Sequence, residues 1–358
     1  MGVQRRRRDP EPFGQATQGQ GLETTLADQR PGRGHDRLAL QGGPVTALDH
    51  AQTVSVNAVH PGGRPCYRAR RGVAQEQAGP RRVAPVTALL EPVVSVRGDE
   101  PAVVDARGAT SWRALDARVT RLVHALRSRG LTSGDRIVAM LGNQSEIVEL
   151  SVACAHGGWV LVPLNWHWVA REIAYVIDDA GAAAVVVDER WAEVMGEALS
   201  RADGAGLRAR LLVGDSALDG FAGFDAYEAL LASGVEDPIT DAEKGGPMFY
   251  TSGTTGDPKG VRSALTTVGG PPEMFALMAH SFGPIIDITP IGPHTPPGDT
   301  ASVQLVCGPL YHSAQWVFAM FALYCGATIV LQHKFDAAGL LDLVDEHGVT
   351  NLHLVPTQ

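Results

Sequence analysis

The sequence predicts an α/β protein, and three observations carry that prediction. From residue 101 onward, short continuous apolar runs such as Ala184-Val-Val-Val187 and Thr328-Ile-Val-Leu331 recur along the chain. Segments with helical spacing of apolar residues separate most of them. One loop built of hydroxyl residues and glycine follows directly on an apolar strand near residue 250. Runs that are apolar at every position belong to strands covered on both faces, which is how a largely parallel sheet between helix layers is written in sequence.

The elements follow in order. Pro101-Ala-Val-Val-Asp105 reads as a strand and Ala106-Arg-Gly108 as a hairpin turn. Ser111 then caps a helix whose Leu115, Val119, Leu122, Val123 and Leu126 fall at i, i+3, i+4 spacing before Gly130 stops it. A strand at Arg136–Leu141, a helix from Glu146 to His156, the stop Gly157-Gly158 and a strand at Trp159–Val162 come next. The alternation continues with a helix from Val169 to Asp179, a strand at Ala184–Val187, a helix from Trp191 to Leu199 and a strand at Arg210–Val213. A second run begins after Gly245-Gly246: a strand at Met248–Tyr250, a helix from Glu273 to Ser281, and a Pro/Gly-rich loop from Gly283 to Gly298. It closes with strands at Ser302–Val306, Thr328–Leu331 and Asn351–Leu354, interleaved with helices from Ser313 to Tyr324 and from Ala337 to His347.

The first 85 residues have a different character. They contain no Ile, Trp or Lys, are rich in Arg, Gly, Gln and Pro, and show no sustained apolar period. Such a segment buries too little apolar surface to offset its chain entropy, so residues 1–85 are expected to be disordered, or to be an extension translated upstream of the true start. Residues 86–358 are expected to form the folded part.

Composition removes several function classes. A net charge of −9 on 358 residues does not favour a polyanionic partner, and the arginines of the first 85 residues are mixed with acids and lack interleaved aromatics, so no nucleic-acid partner is expected. Cys66, Cys154, Cys307 and Cys325 lie far apart without metal spacing, which fits a reducing cytoplasm. The longest uncharged apolar run, Trp316 to Leu331, is too short for a membrane span and is broken by Gly326. Arg5 to Arg8 are followed by Asp9-Pro-Glu-Pro12 where an export signal would need an apolar stretch. Only Lys244, Lys259 and Lys334 are lysines, so each draws notice.

The stretch that carries chemistry is Tyr250-Thr-Ser-Gly-Thr-Thr-Gly-Asp-Pro-Lys-Gly260. Thr251, Ser252, Gly253, Thr254, Thr255 and Gly256 are all small, hydroxylic or glycine, so several backbone N–H groups can converge on an anion while the hydroxyls add hydrogen bonds. Lys259 supplies the cation. Asp257 and Pro258 stand where G-x-x-x-x-G-K-[ST] would need Gly-Lys, so this phosphate cradle is not a Walker A loop. The G-x-S-x-G, H-E-x-x-H and strand-to-helix G-x-G-x-x-G signatures are absent. Asp178-Asp179, at a helix end, reads as a solvated face. Trp166, His167 and Trp168 read as packing and a turn.

Residues 250–260 resemble, at every position, the signature loop of the adenylate-forming superfamily, which includes acyl- and aryl-CoA ligases, luciferases and peptide-synthetase adenylation domains. Leu131-Thr-Ser-Gly-Asp135, Val162-Pro-Leu-Asn165 and Leu354-Val-Pro-Thr357 extend the resemblance over about Val86 to Gln358. Pro309-Leu-Tyr-His-Ser313 resembles a second family element that lines the acyl site. The resemblance implies two stacked, mainly parallel sheets flanked by helices. It implies activation of a carboxylic acid by ATP with Mg²⁺, then transfer of the acyl group to the thiol of coenzyme A. Residues 251–256 and Lys259 would hold the β- and γ-phosphates, Tyr311 and His312 would border the acid, and Trp316 would stand at the acyl tunnel. Tyr311 and Trp316 lean toward a fatty or other hydrophobic acid.

The family's adenine, ribose and hinge motifs, and the small carboxy-terminal domain with its adenylation lysine, do not occur in the sequence. The resemblance therefore implies an amino-terminal portion without the catalytic lysine, inactive by itself, whose strand at Asn351 would present an unpaired edge. Two other readings stay open: a peptide-synthetase adenylation domain, or a nucleotide-binding remnant without catalysis.

Overall fold

A helix that is apolar or buried on every side has to sit inside the protein, and the segment Ser145–Gly157 is buried at every position. The rest of the fold is arranged around it. The computed structural model describes residues 39–42, 54–59, 88–214, 223–251, 257–261, 263–291, 302–356 and 358. The chain divides into two units, Met1–Arg37 and Leu38–Gln358, the first of which lies outside the described residues.

In chain order the elements are β1 (Ala39–Gly42), β2 (Val54–Val59), α1 (Glu91–Arg97), β3 (Pro101–Asp105), β4 (Gly108–Ser111), α2 (Trp112–Ser128), β5 (Arg136–Met140), α3 (Ser145–Gly157), β6 (Val160–Pro163), α4 (Ala170–Ala180), β7 (Ala182–Asp188) and α5 (Ala192–Arg201). They continue with β8 (Ala209–Val213), β9 (Asp225–Ala226), α6 (Tyr227–Ser233), β10 (Gly246–Pro247), β11 (Phe249–Thr251), β12 (Lys259–Val261), α7 (Glu273–Phe282), β13 (Val303–Val306), α8 (Ser313–Tyr324), β14 (Thr328–Leu331), α9 (Ala337–His347) and β15 (Asn351–Leu354). Among the described residues one sheet has the order β1-β2-β15-β13-β14-β3-β4 and the other β10-β6-β5-β7-β8-β9, while β11 and β12 form a separate ribbon. The second sheet is parallel throughout. In the first, β15, β13, β14 and β3 are parallel, with antiparallel strands at both edges.

Side chains in a strand alternate between faces, and here the alternation sorts residues into layers. Ile137, Ala139, Leu161, Ala184, Val186 and Leu211 face a central core shared with α2, α3, α8 and, from the other sheet, Val103, Val306, Ile329 and Leu331. Val138, Met140, Val162, Val185 and Val187 face outward onto α4 and α5. Leu305, Val330 and Leu352 face the opposite way, onto α9. The two stacked, mainly parallel sheets flanked by helices are thus the observed architecture.

Two expectations need correction. Within the stretch read as disordered, residues 39–42 and 54–59 are strands, and the remainder of 1–85 lies outside the described residues. Val54-Ser-Val-Asn-Ala-Val59 carries a β-branched residue at three of its positions, which suits a strand despite the surrounding composition. In consequence β15 is not an open edge. It is paired with β13 on one side and, antiparallel, with β2 on the other, Leu352 lying opposite Val56.

Burying α3 brings polar groups into the core, and each is matched. Arg118 from α2 binds Glu149 through Nε and Nη2 at 2.6 and 3.2 Å and reaches Glu228 with the same guanidinium, while the Tyr227 hydroxyl donates to Glu149 at 2.9 Å. Arg107 forms the equivalent fork on Glu146. Arg107, Arg118, Glu146, Glu149 and Glu228 line a cleft of about 460 Å³ beside the β3–β4 hairpin. Desolvation raises the pKa of Glu149, which Arg118 opposes. Arg118→Leu leaves that carboxylate buried without its cation and is expected to cost about 3–5 kcal/mol in urea unfolding, with a smaller loss in the Arg118→Leu/Glu149→Leu double variant. A double-variant loss equal to the sum of the Arg118→Leu and Glu149→Leu losses would show that the pair is not coupled.

His156, near the end of α3, is also fully buried. Its Nδ1–H donates to Val152 O at 2.9 Å and its Nε2 accepts from the Leu89 N–H at 3.3 Å, so the neutral ring satisfies both nitrogens. Protonation would set an N–H against an N–H, and burial lowers the pKa to about 4 from the ordinary 6.5. The unfolded chain takes up the proton first as pH falls, so stability present above pH 6.5 is lost between there and pH 4, by roughly 3 kcal/mol. His156→Gln keeps a donor and an acceptor without titrating. Urea midpoints measured across this range should flatten in that variant, and an unchanged slope would assign the pH dependence elsewhere.

Candidate functional site

In parallel sheets, ligands sit outside the carboxyl ends of the strands. Both sheets bring unusual side chains to those ends. Asn143 and Gln144 follow β5, Trp166 follows β6, and Arg190 and Trp191 follow β7. Gly308 to His312 follow β13, and His333 follows β14.

The two sheets meet here through aromatic contacts. Trp166 stacks on Trp191 with centroids 5.4 Å apart and planes 4° from parallel, and meets the Tyr311 ring edge-on at 4.8 Å. His333 lies 5.9 Å from Trp166, and the Arg190 guanidinium sits 4.7 Å over the Trp191 ring. Arg190 is held by a two-point contact with Asp188, at 2.6 and 2.7 Å, and by Gln144 Oε1 at 2.6 Å, and it donates to His333. Burial, and then the Arg190 charge, lower the His333 pKa, so its ring stays neutral and accepts.

The segment Pro309–His312 is pinned by Asn143. That buried amide donates to Gly308 O at 2.8 Å and to Gln332 O at 3.0 Å, and its Oδ1 accepts the Leu310 N–H at 3.0 Å. His312 is the N-cap residue of α8, but its side chain makes no capping bond. The imidazole is exposed, 4.5 Å from the Tyr311 ring. Trp316 differs from what its place in the motif implies. It is 1% exposed, its indole N–H donates to Ser151 Oγ at 3.0 Å, and its ring meets Phe249 and Phe275 edge-on. In this structure it is a core side chain joining α8 to α3 and to the root of the ribbon.

That ribbon carries the signature stretch. Thr251 on β11 lies directly opposite Lys259 on β12, both exposed, so the loop between them joins two antiparallel strands rather than a strand and a helix. Ser252, Gly253, Thr254, Thr255 and Gly256 lie outside the described residues. The ribbon is fastened to α4. The Tyr250 hydroxyl donates to Asp179 Oδ2 at 2.6 Å, and Arg171 lies 3.6 Å from Asp257. Among the described residues no three His, Cys, Asp or Glu side chains converge as a metal cage. No helix among them is long and apolar enough to cross a membrane.

The family model for AMP-binding enzymes matches residues 90–358, three-quarters of the sequence. The chain belongs to the AMP-binding enzyme family. It is similar to a fatty acid–[acyl-carrier-protein] ligase of Streptomyces coeruleorubidus, 29% identical over 259 residues that cover 72% of this chain and 45% of that protein. It is also similar to 4-hydroxybutyrate–CoA ligase 2 of Metallosphaera sedula, 27% identical over 274 residues, covering 72% and 45%. The fold matches the crystal structure of a putative long-chain-fatty-acid CoA ligase from Rhodopseudomonas palustris, with a TM-score of 0.60, 23% identity, and coverage of 73% of this chain and 60% of that one. The chain therefore spans less than half the length of the curated relatives it matches.

Within this AMP-binding domain the sequence motifs located the ribbon and the Tyr311-His312 turn, but not their supports. Trp166 is part of the aromatic junction and not merely of a turn, whereas Trp168 packs on the outer core as expected. Asp178 and Asp179 are both exposed, as expected of a solvated face, and Asp179 in addition accepts from the Tyr250 hydroxyl. Asn143, Arg190 and Trp191 carried no motif; their shared signal is position, each lying within three residues of the end of a parallel strand. Asn143→Leu removes three hydrogen bonds and leaves two buried carbonyls and an N–H unpaired. It is expected to lower stability by at least about 3 kcal/mol and to abolish hydrogen-exchange protection of the Leu310 amide. Retained protection at Leu310 would show that Asn143 does not hold the turn.

Proposed function

We propose that this domain belongs to an ATP-dependent acid–thiol ligase, which activates a carboxylic acid as its acyl-adenylate and passes the acyl group to a thiol, coenzyme A being the expected acceptor. The observation that supports the reading is a packing link between the Phe249–Thr251/Lys259–Val261 ribbon and the helix that begins after the Tyr311-His312 turn. Phe249 of the ribbon and Trp316 of the helix that follows the turn are in edge-to-face contact at 6.2 Å.

In the first step a carboxylate oxygen attacks the α-phosphorus of ATP and pyrophosphate departs. The charge that develops lies on the transferring phosphoryl and on the leaving group, so the work of the protein is placement and neutralisation. Lys259, with the amides and hydroxyls of residues 251–256, would hold the β- and γ-phosphates. Mg²⁺ would arrive with those phosphates, keeping most of its ligands from them and from water. Tyr311 and His312 would border the acid, on the sheet opposite the one that leads into the ribbon. Their aromatic surroundings suit a fatty or other hydrophobic acid. The relatives' printed names, one a fatty-acid ligase and the other a hydroxy-acid ligase, support an acid–thiol ligase over a peptide-synthetase domain.

Titration of the 1–358 chain with MgATP tests the phosphate site. Lys259→Ala is expected to weaken binding by about ten- to a hundredfold, the worth of a charge-assisted hydrogen bond, without altering the unfolding midpoint. Unchanged affinity in that variant would remove Lys259 from the site.

A further inference from the structure

His353 sits in β15 with 1% of its surface exposed. Its ring lies on Phe318, centroids 4.1 Å apart and planes 15° from parallel. The Gln315 side-chain nitrogen is 3.0 Å from His353 Nδ1 and 3.3 Å from the His353 carbonyl oxygen. The carbonyl fixes the orientation of the amide, because only the NH₂ end can face an oxygen that accepts. An NH₂ group only donates, so Nδ1 accepts and the ring proton is on Nε2. Gly308 makes the arrangement feasible, since a Cβ there would collide with the Gln315 amide. Burial lowers the His353 pKa to about 4, so the ring is neutral near pH 7. Its Nε2–H is then a buried donor with no acceptor, one of few such atoms among the described residues.

The place of this donor is informative. Gln315 and Phe318 lie three and six residues beyond His312 along α8, about 4.5 and 9 Å of helix rise. His353 also lies near the carboxyl end of its strand, next to Cys307 at the end of β13, whose Sγ is 3.8 Å from His353 O. We infer that His353 is the specificity-determining residue of the acid site, donating its Nε2–H to a hydroxyl or carbonyl oxygen carried on the acyl chain about 5–9 Å from the carboxylate. The substrate class is thereby narrowed from hydrophobic acids in general to oxygen-substituted ones. This rests on the acid-activation reading, in which the carboxylate lies at the His312 end.

The test compares 6-hydroxyhexanoate with hexanoate, titrated into the 1–358 chain by NMR, with ¹⁵N-labelled histidine reporting on His353. The expected result is about tenfold tighter binding of the hydroxy acid, a downfield shift of the Nε2–H signal with that acid only, and loss of the preference in His353→Phe with hexanoate affinity retained. Should that variant fail to fold, the Nε2–H signal of the wild-type protein decides by itself. Equal affinities for the two acids, or an Nε2–H already bonded to a buried water and insensitive to ligand, would overturn the role of His353 while leaving the acid site standing. Binding of neither acid would overturn the acid site and this inference with it.

Discussion

Everything in this domain follows from a helix that has no solvent face. α3 is covered by α2 and α8 and by both sheets, so its residues Glu146, Glu149, Ser151 and His156 had to find partners within the protein. They did so mostly with residues distant in sequence: Arg107 and Arg118 for the carboxylates, Trp316 for the serine hydroxyl, and the Leu89 backbone for one nitrogen of the histidine, whose other nitrogen bonds Val152 within α3. A buried ion pair adds little net stability compared with apolar packing, but each of these groups accepts only one arrangement of its neighbours. The polar residues of α3 therefore fix how the two sheets are stacked around it.

That stacking has a chemical consequence. Parallel strands leave their carboxyl ends on one side, and two such sheets held over one helix layer bring their post-strand loops together there. Trp166 and Trp191 come from one sheet, Tyr311 and His333 from the other, and the four rings meet. Asn143 spans the same boundary, reaching from the end of β5 to the loops after β13 and β14. A shift of one sheet against the other would break this junction together with the central core the two sheets share. The site is thus a readout of sheet registry, set by the helix beneath it.

Much of this was legible in the sequence, and the boundary of legibility is physical. Strands such as Ala184–Val187 and helices such as α2 announced themselves because burial on one or both faces leaves a period, and Thr251 and Lys259 because anion binding needs small residues and a cation in close succession. Short elements without a period of their own did not: β10 is two residues long, and β12 is a three-residue strand whose Lys-Gly-Val reads as loop. Trp316 was assigned to the site from its motif, but a tryptophan at that helix position has the same sequence signature whether it faces a ligand or the core. Only the contact with Ser151 distinguishes the two. Asp179 is as solvated as its place at a helix end predicts, but the sequence gives no sign that a tyrosine seventy-one residues later also donates to it.

The ribbon also clarifies how an anion could be held here without the usual help. A phosphate loop that runs into a helix gains the positive end of the helix dipole, about half a unit charge. The loop after Thr251 runs into a second strand instead, and β-ribbons have almost no net dipole. In the proposed reading the attraction has then to rest on a cation, and the one in register with Thr251 is Lys259. An exposed amine at the loop end of a narrow ribbon is useful only if the ribbon keeps a fixed direction. Tyr250 on Asp179 and Arg171 beside Asp257 tie it to α4, while Phe249 against Trp316 ties it to α8. The described strands of the ribbon are thus anchored to helices on both sides of the sheet, which fixes the direction in which Lys259 is presented.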